Sequence, residues 1–376
     1  GGAGSRGFLY TAPPRGTTGP PPQREEGRMD PINRRVTLKA RPAGRAGPEH
    51  FAVDTAPVRP PAEGEALVQT LLVSVDPAMR VWVSENPGYV EPVVPGEVMR
   101  AGGVGRVLES RSPAVRPGDL VQARLGWQSH VTLPGDVLQR LDPALGGPLD
   151  WIGPLGGTAL TAYFGLLDVG AAKPGETVLV SAASGGVGQM AGQIARLTGC
   201  RTVGIAGGPD KCRFVREELG FDAAIDYKAA PDIAAAVRAA CPEGVDVYFD
   251  NVGGPTLDAA LASLKLRGRV AICGRISQTA AAEVYGLRNT GMLIGKRARM
   301  EGFLVFDYAD RYDEARRWLS GHLKAGRLRQ RLHVLDGLER APEGLAMLFR
   351  GENTGKLVVR VADDGPGAND AGVADG

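Results

Sequence analysis

The spacing of apolar residues changes several times in the middle of the chain, between continuous runs typical of buried strands and the spacing typical of helices. A β-branched apolar run at residues 177–183 leads into a glycine turn at 184–188. A helix-like stretch at 190–197 and a second apolar run at 200–206 follow. Strand, glycine turn, helix and strand in this order predict half of a dinucleotide-binding fold.

The same alternation continues towards the C-terminus. Helix-like patterns occur at 156–170, 207–220, 232–241, 256–264 and 310–326, and strand-like runs at 223–227, 245–253, 269–274 and 300–308. Because strands alternate with helices, we expect a parallel sheet whose ligand lies at the carboxyl ends of the strands.

The N-terminal part has a different pattern, with short strand-like runs separated by turns rich in proline and glycine. These runs lie at 34–40, 50–58, 65–77, 101–110 and 119–133. Their spacing predicts an irregular β-rich domain. At the other end of the chain, residues 339–361 have the pattern of a short helix, a polar turn and a final strand, and we expect that strand to return to the β-rich domain.

The predicted fold class is therefore α/β, with a Rossmann-type parallel-sheet domain and a β-rich domain. We place the β-rich domain at 30–155 and 327–362, and the Rossmann domain at 156–326. Residues 1–29 and 363–376 are rich in Gly, Pro or charge and are predicted to be disordered, with Met29 a candidate original start.

Composition narrows the class of protein. The 376 residues suffice for two domains, and 44 Lys and Arg against 42 Asp and Glu give a net charge of +2. This balance predicts no general attraction to nucleic acid or to a membrane. No apolar run reaches the roughly 18–20 residues of a membrane span. The four cysteines form no close-spaced pattern, which favours a reduced, cytoplasmic protein.

Several ordered motifs carry a resemblance to a known family. They are SVDPAMR (74–80), PGEVMRAGGVG (95–105), LTAYFGLLD (160–168), SAASGGVGQMAGQIARLTGC (181–200), NVGG (251–254), CGRISQ (273–278), RMEGF (299–303) and GENTGKLVV (351–359). Together they resemble the zinc-independent leukotriene B4 dehydrogenase, prostaglandin reductase and 2-alkenal double-bond reductase family of the medium-chain dehydrogenase/reductase superfamily. The resemblance implies a GroES-like catalytic domain, NADP(H) as cofactor, and reduction of the carbon–carbon double bond of small enones and alkenals. It also implies a homodimer paired through the cofactor domains, with 299–307 as a candidate edge strand.

A metal site is not expected. Catalytic zinc needs three Cys, His or carboxylate ligands. In the resemblance, SVDPAMR and PGEVMRAGG replace the zinc-ligating segments of zinc alcohol dehydrogenases. The four histidines lie far apart in sequence, at His50, His130, His322 and His333.

The cofactor contacts follow from glycine chemistry and from the resemblance. The glycine turn, formed by Gly185, Gly186, Val187 and Gly188, lets the backbone approach a pyrophosphate at a helix N-terminus, although it could also be only a tight strand-to-helix turn. The second strand is followed by Ala206, Gly207 and Gly208 in place of the acid that NAD enzymes present to the ribose.

Three further residues are expected to favour a 2′-phosphate. Lys211 follows the missing acid by one helical turn, and the resemblance makes Lys211, Tyr227 and Asn353 the NADP contacts. Asp210 weakens this expectation, and a solvated lysine with a half-buried tyrosine is the alternative. On the nicotinamide side, the candidate residues are Asn251, Cys273, Ser277, Thr161, Phe303 and Val305, and Cys273 could equally serve packing.

A tyrosine hydroxyl is the expected donor to the enolate oxygen. Relatives carry tyrosines where this chain has Ala78 and Thr279, so two familiar donors are absent. Tyr285 is the first remaining candidate and Tyr89 the second, and either could be an ordinary loop residue. Trp82 and Trp127 are candidates for apolar pocket walls, with core packing as the alternative.

Two other functions remain open at this stage. The first is a zinc-free, NADPH-dependent quinone reductase of the same superfamily. The second is an NADPH-binding protein without catalytic activity.

Overall fold

The strands between residues 177 and 302 form a parallel sheet, and the strands within 65–140 form a largely antiparallel sheet together with the last two strands of the chain. The first two strands pair only with each other. The structure is a computed structural model that describes residues 32–281 and 283–363. Its strands are β1 Ile32–Leu38, β2 Phe51–Pro57, β3 Glu65–Ser74, β4 Gly103–Ser110, β5 Leu120–Ala123, β6 His130–Pro134, β7 Gln139–Arg140, β8 Thr177–Ser181, β9 Arg201–Ala206, β10 Ala223–Asp226, β11 Val245–Asp250, β12 Leu264–Ile272, β13 Arg299–Gly302, β14 Leu332–Asp336 and β15 Lys356–Arg360.

The α-helices overlap the helix-like patterns of the sequence, although their bounds differ by several residues. They are α1 Ala78–Trp82, α2 Pro148–Ile152, α3 Gly157–Phe164, α4 Gly186–Leu197, α5 Pro209–Arg213, α6 Ile233–Ala240, α7 Gly254–Ala262, α8 Ile276–Thr279, α9 Gly291–Gly295, α10 Tyr312–Lys324 and α11 Ala341–Arg350. Single π-helical turns at Gly165–Val169 and Phe214–Glu218 continue α3 and α5. Among the described residues, no helix has the length and hydropathy needed to cross a bilayer.

The parallel sheet has the strand order β10-β9-β8-β11-β12-β13. Its chain order reverses between β8 and β11, and a ligand crevice opens at such a point in open α/β sheets. All five residues of β8 are buried, as expected for a strand covered by helices on both faces.

The second sheet has the order β14-β15-β3-β4-β5-β7, with β6 on the other side of part of β3. The final strand pairs with β3 in antiparallel register, joining Val358 to Ser74. The C-terminal strand therefore returns to the β-rich domain, as predicted. These two sheets confirm the predicted fold class. The predicted extension at 1–29 and the tail beyond residue 363 lie outside the described residues.

Two sequence predictions about strands were wrong. The strand predicted at 300–308 ends at Gly302, and Val305–Arg311 is a 3-10 segment. Strand β14 was not predicted, because it is half-buried and is held by parallel pairing with β15, a contact that local pattern does not encode.

Candidate active site

The glycine turn leads directly from β8 into α4. An added Cβ at Gly188 would lie 2.2 Å from the carbonyl oxygen of Ala182, so only glycine lets the helix approach the strand end this closely. Ala182 itself has a φ of +49°, a left-handed conformation that is strained for a residue with a side chain. The conformation of the turn is therefore constrained at both ends, by the left-handed backbone of Ala182 and by the close approach of Gly188 to it.

A second segment closes over this turn from the β-rich domain. Gly185 and Gly355 form a parallel bridge, and the amide of Gly355 donates to the Ser184 carbonyl at 2.9 Å. The GENTGK motif and the glycine turn, far apart in sequence, thus share one wall of the site.

The space beside Gly186 fits an anionic group. The first amides of an α-helix have no acceptor within the helix, and its positive end favours negative charge. Two neighbouring side chains each have a buried polar atom without a hydrogen-bond partner in the described structure. The Thr158 hydroxyl is one of these atoms, and the methyl group of Thr158 would lie 3.3 Å from a Cβ at Gly186. The side-chain oxygen of Gln330 is the other and lies towards Gly153, while the amide of Gln330 donates to the Gly186 carbonyl at 3.0 Å. Glycine, helix terminus and unpartnered donor are the environment that a pyrophosphate requires.

The residues predicted to read a 2′-phosphate lie around the end of β9. Lys211 donates from Nζ to the Gly351 carbonyl at 2.6 Å, which places it against the loop that carries Asn353. Tyr227 lies against Gly207, where an added Cβ would be 2.7 Å from the tyrosine ring. Burial, and then the positive charge of Lys228, lower the pKa of Lys211. Lys211 therefore brings a positive charge to the end of β9, and its contact with a 2′-phosphate stays a prediction.

The carboxylates near this pocket are already engaged. Asp210, which weakened the expectation of a 2′-phosphate, is exposed and pairs with Arg213. Asp226 accepts from the Gly208 amide at 2.8 Å and the Lys228 amide at 3.0 Å, and the hydrogen bond from Gly208 is the main cause of its lowered pKa.

The carboxyl edges of β8, β11 and β12 bring three further candidates together. Asn251 donates from Nδ2 to the Ser181 carbonyl at 2.8 Å, and the Ser277 hydroxyl donates to the Val252 carbonyl at 2.7 Å. The amide of Cys273 donates to the Asp250 carbonyl. Burial, and next the charge of Asp250, raise the pKa of Cys273 to about 12, so its thiol is protonated at neutral pH.

Asp250 organises this edge, and the sequence analysis did not identify it. One oxygen of its fully buried carboxylate accepts from Tyr248, Ser181 and the amides of Val252 and Gly253. The other oxygen has no partner among the described groups. Burial raises the pKa of this carboxyl. An acid directly after the buried strand VDVYF was the available signal.

The predicted nicotinamide neighbours share one side of α3. Thr161 donates from its hydroxyl to the Gly157 carbonyl, and Phe303 packs on Gly165, one turn further along. The ring of Phe303 also meets Phe249 edge-on, with 6.3 Å between centroids. Val305 accepts through its carbonyl from the Tyr312 hydroxyl at 3.0 Å.

The two candidate tyrosines differ in the state of their hydroxyls. Tyr285 donates to one carboxylate oxygen of buried Asp258 at 3.1 Å, and the other carboxylate oxygen accepts from the backbone amides of Arg288 and Asn289. Tyr89 instead accepts a hydrogen bond from the indole of Trp82 at 3.1 Å, and its own proton has no acceptor among the described residues. The hydroxyl proton of Tyr285 is thus used in a hydrogen bond to Asp258, whereas that of Tyr89 has no acceptor among the described residues.

The two tryptophans have separate environments. Trp127 is completely buried against Phe51 and donates to the Ser74 carbonyl, which makes it core, the alternative that the sequence left open. Trp82 stays half-buried beside Tyr89.

A buried ion pair at the junction of the two domains was missed by the sequence analysis. Lys356 is only 3% exposed, and its Nζ lies within hydrogen-bond distance of four oxygens. They are Ser74 Oγ at 2.5 Å, Asp76 Oδ1 at 2.8 Å and the carbonyls of Val75 and Leu357 at 3.0 Å. The Cδ of Lys356 would lie 3.0 Å from a Cβ at Gly186. Lys356 therefore joins the end of β3 to the glycine turn.

No group of three or more His, Cys, Asp or Glu within 32–281 and 283–363 is arranged to hold a metal ion. The four cysteines are free.

Comparison with known proteins identifies the family. A model described as the N-terminal domain of oxidoreductases matches residues 34–141, and one described as zinc-binding dehydrogenase matches 186–321. The NADPH-dependent curcumin reductase of Escherichia coli is 42% identical over 344 residues, which cover 90% of this chain and 99% of that protein. The chain belongs to the zinc-independent medium-chain dehydrogenase/reductase family. It is accordingly an oxidoreductase.

Two further members of the family are closely similar. The 2-alkenal reductase (NADP(+)-dependent) of Nicotiana tabacum is 40% identical over 336 residues, covering 88% of this chain and 98% of that enzyme. The crystal structure of CurA from Vibrio vulnificus in complex with NADPH matches with a TM-score of 0.83 and 39% identity, over 88% of this chain and 99% of that one. The resemblance found from sequence motifs is thereby confirmed.

Proposed function

We propose that this oxidoreductase uses NADPH to reduce the carbon–carbon double bond of α,β-unsaturated aldehydes and ketones. The observation that carries the proposal is the placement of the Lys211 cation after β9, where the neighbouring carboxylates of Asp210 and Asp226 are held by other groups. The predicted cofactor agrees with relatives named as NADP(H)-dependent and with a neighbour solved with NADPH.

Different residues of the chain would bind different parts of NADPH. The N-terminus of α4 receives the pyrophosphate, and Lys211, Tyr227 and Asn353 receive the 2′-phosphate. The edge formed by Asn251, Cys273 and Ser277 would hold the ribose and nicotinamide, and Thr161, Phe303 and Val305 would lie beside the ring. Bound NADPH supplies the hydride that the β-carbon of the enone takes up.

A hydroxyl donor must then stabilise the charge that develops on the substrate carbonyl oxygen. We propose Tyr89 for this role, because its proton is not held by another residue and the Trp82 indole fixes its oxygen. Tyr285 is the second candidate, since its hydroxyl would first have to leave Asp258.

Two single variants separate these candidates. In Tyr89→Phe we expect kcat for an enone to fall at least tenfold, with the affinity for NADPH unchanged. In Tyr285→Phe we expect a smaller change in kcat and a lower melting temperature, because a hydrogen bond to buried Asp258 is lost. A full loss of turnover in Tyr285→Phe beside an active Tyr89→Phe would reverse the assignment.

A panel of enones, alkenals and quinones, followed by NADPH absorbance, tests the reaction itself. Turnover of quinones without turnover of enones would favour the quinone reductase alternative. Tight binding of NADPH without oxidation by any member of the panel would favour the non-catalytic one.

We also propose a homodimer that pairs through β13. This strand is an edge of the parallel sheet and its four residues are exposed, among them Met300. An unpaired edge is a template for a second strand. Sedimentation velocity of the wild type and of Met300→Lys tests the interface, since only the wild type should sediment as a dimer. A cytoplasmic location remains a prediction that cell fractionation would test.

A further inference from the structure

The chain passes from α10 to β14 along residues 329–331, which belong to no helix or strand and form a return segment to the second sheet. Its backbone groups therefore need hydrogen-bond partners outside a ladder. Helix α4, which begins in the glycine turn, lies against this segment. Because the main chain of a helix is already hydrogen-bonded within the helix, only side chains of α4 can supply the partners.

Two glutamines of α4 supply them. Gln193 donates from Nε2 to the Arg329 carbonyl at 2.8 Å and accepts from the Arg329 amide on Oε1 at 3.1 Å. Gln189 makes the same two bonds with Arg331, at 3.1 and 2.9 Å. Each carboxamide thus takes the place of a neighbouring peptide group, since it offers a donor and an acceptor together. Gln189 is fully buried and Gln193 is 2% exposed, so water is kept away from these bonds.

The spacing of the two elements explains why the glutamines fit the segment. Gln189 and Gln193 are four residues apart, which is about 6 Å along a helix. Arg329 and Arg331 are two residues apart, which is about 6.6 Å along an extended chain. These lengths match, so the return segment lies along α4 in a defined register. Gln330 adds a third contact by donating to the Gly186 carbonyl at 3.0 Å.

The contact links the pyrophosphate helix to the domain that carries the proposed hydroxyl donor. Beyond the return segment, β14 pairs with β15, and β15 pairs with β3. Helix α1 follows β3, and the indole of its Trp82 donates to the hydroxyl of Tyr89. The distance between a cofactor bound at α4 and Tyr89 therefore depends on the register of the return segment on α4.

We propose that Gln189 and Gln193 are positioning residues for hydride transfer, which fix the β-rich domain against the pyrophosphate helix. This inference rests on the proposed function. Neither glutamine would touch NADPH or the enone. They would act by setting the distance between the nicotinamide and a substrate held by the β-rich domain. Hydride transfer depends steeply on that distance, because a misplacement of about 1 Å can slow a reaction about a hundredfold.

The variants Gln189→Met and Gln193→Met test the inference, because methionine keeps the length of the side chain and removes the donor and the acceptor. The rate of hydride transfer is measured in a single turnover, with NADPH bound first and an enone at saturation. We expect this rate to fall about tenfold in each variant. Kd for NADPH should stay that of the wild type, because the N-terminus of α4 and Lys211 remain in place.

Hydrogen exchange reports on the contact itself, without turnover. The amides of Arg329 and Arg331 should exchange faster in Gln193→Met and Gln189→Met respectively, since each loses its acceptor. Gln189→Met is the milder change, because the Arg331 carbonyl keeps the amide of Lys356 at 3.0 Å. It carries the test alone if Gln193→Met does not fold.

Thr198→Val is the matched control on the same helix. The Thr198 hydroxyl lies 3.1 and 2.8 Å from the carbonyl oxygens of Ile194 and Ala195, so its loss weakens the C-terminal end of α4 without touching the return segment. This variant should have a lower melting temperature and the hydride-transfer rate of the wild type.

The inference is wrong if the glutamine variants transfer hydride at the wild-type rate, or if exchange in the return segment is unchanged. A Kd for NADPH that weakens in proportion to the rate would instead assign the glutamines to cofactor binding. Equally slow transfer in Thr198→Val would reduce their role to the stability of α4. A wild type that reduces no enone would refute the proposed function, and hydrogen exchange would still report on the contact between α4 and the return segment.

Discussion

Replacement of Lys356 by methionine removes the buried cation at the domain junction and keeps the volume of its side chain. The amino group of Lys356 is within hydrogen-bond distance of four oxygens, those of Ser74, Val75, Asp76 and Leu357. In the variant, the carboxylate of Asp76 loses its ion-pair partner. Ser74, which donates its hydroxyl to that carboxylate, is the only side-chain donor to Asp76 that the described structure retains.

The magnitude follows from burial. The side chain of Lys356 is 3% exposed and that of Asp76 is 27% exposed. Breaking a buried ion pair from one side costs about 3–5 kcal/mol, because a charge is left without compensation. With a shift of about 2–4 °C per kcal/mol for a domain of this size, the melting temperature should fall by about 10 °C.

A matched control is available on β12. Lys265 pairs with Asp246 at the same distance of 2.8 Å, but its side chain is 31% exposed, and Asp246 also accepts from the Thr177 amide. Lys265→Met should therefore cost less than about 1 kcal/mol. Urea unfolding at pH 7 of both variants and the wild type measures the difference.

A double variant provides a second test of this prediction. Asp76→Asn in the Lys356→Met background removes the orphaned charge and should recover part of the lost stability. The reasoning would be refuted if Lys356→Met were no less stable than Lys265→Met, or if the added Asp76→Asn deepened the loss.

Three further predictions concern the cofactor site. Gly188→Ala should abolish NADPH binding or prevent folding, because its Cβ would lie 2.2 Å from the Ala182 carbonyl oxygen. Gly185→Ala, whose Cβ would lie 3.2 Å from the same oxygen, should still fold and bind NADPH. Fluorescence titration and circular dichroism measure binding and folding, and equal results for the two variants would contradict this prediction. Lys211→Gln should raise KM for NADPH about tenfold, because a hydrogen bond from a charged group to the 2′-phosphate is lost, and should leave KM for NADH unchanged. Equal changes in KM for the two nucleotides, measured by steady-state kinetics, would contradict a 2′-phosphate contact. Because the pKa of Cys273 is raised to about 12, its thiol should react slowly with iodoacetamide at pH 8, since the thiolate is the reactive form. Rapid alkylation of Cys273 in the native protein, detected by mass spectrometry, would contradict the raised pKa.

Local pattern predicted the cofactor domain well, because its elements are specified by short-range features. The buried run of β8, the glycine turn and the stop at Gly199 are each legible within a few residues. Polar residues at strand ends also gave Asn251 and Ser277, since parallel strands bring their carboxyl ends to one edge.

Features that depend on contacts distant in sequence were not predicted. Lys356 meets Asp76 across 280 positions, and Lys211 meets Gly351 across 140. No periodicity encodes such pairs. The prediction for the segment at 303–308 was wrong for a different reason, because its apolar run FLVF fits a strand equally well. The packing of Phe303 on Gly165 is a contact that the local pattern does not encode.

The hydrogen bonds in the structure distinguish the two candidate tyrosines, which the sequence alone could not do. Tyr285 and Tyr89 are both loop tyrosines by sequence, and only the acceptor at Asp258 distinguishes their hydroxyl protons.

Identification of the product of an enone incubated with NADPH or NADH tests the central claim most directly. We predict the saturated ketone as the product, formed with a kcat/KM at least tenfold higher for NADPH than for NADH. An allylic alcohol as the product, or equal rates with the two nucleotides, would contradict the account.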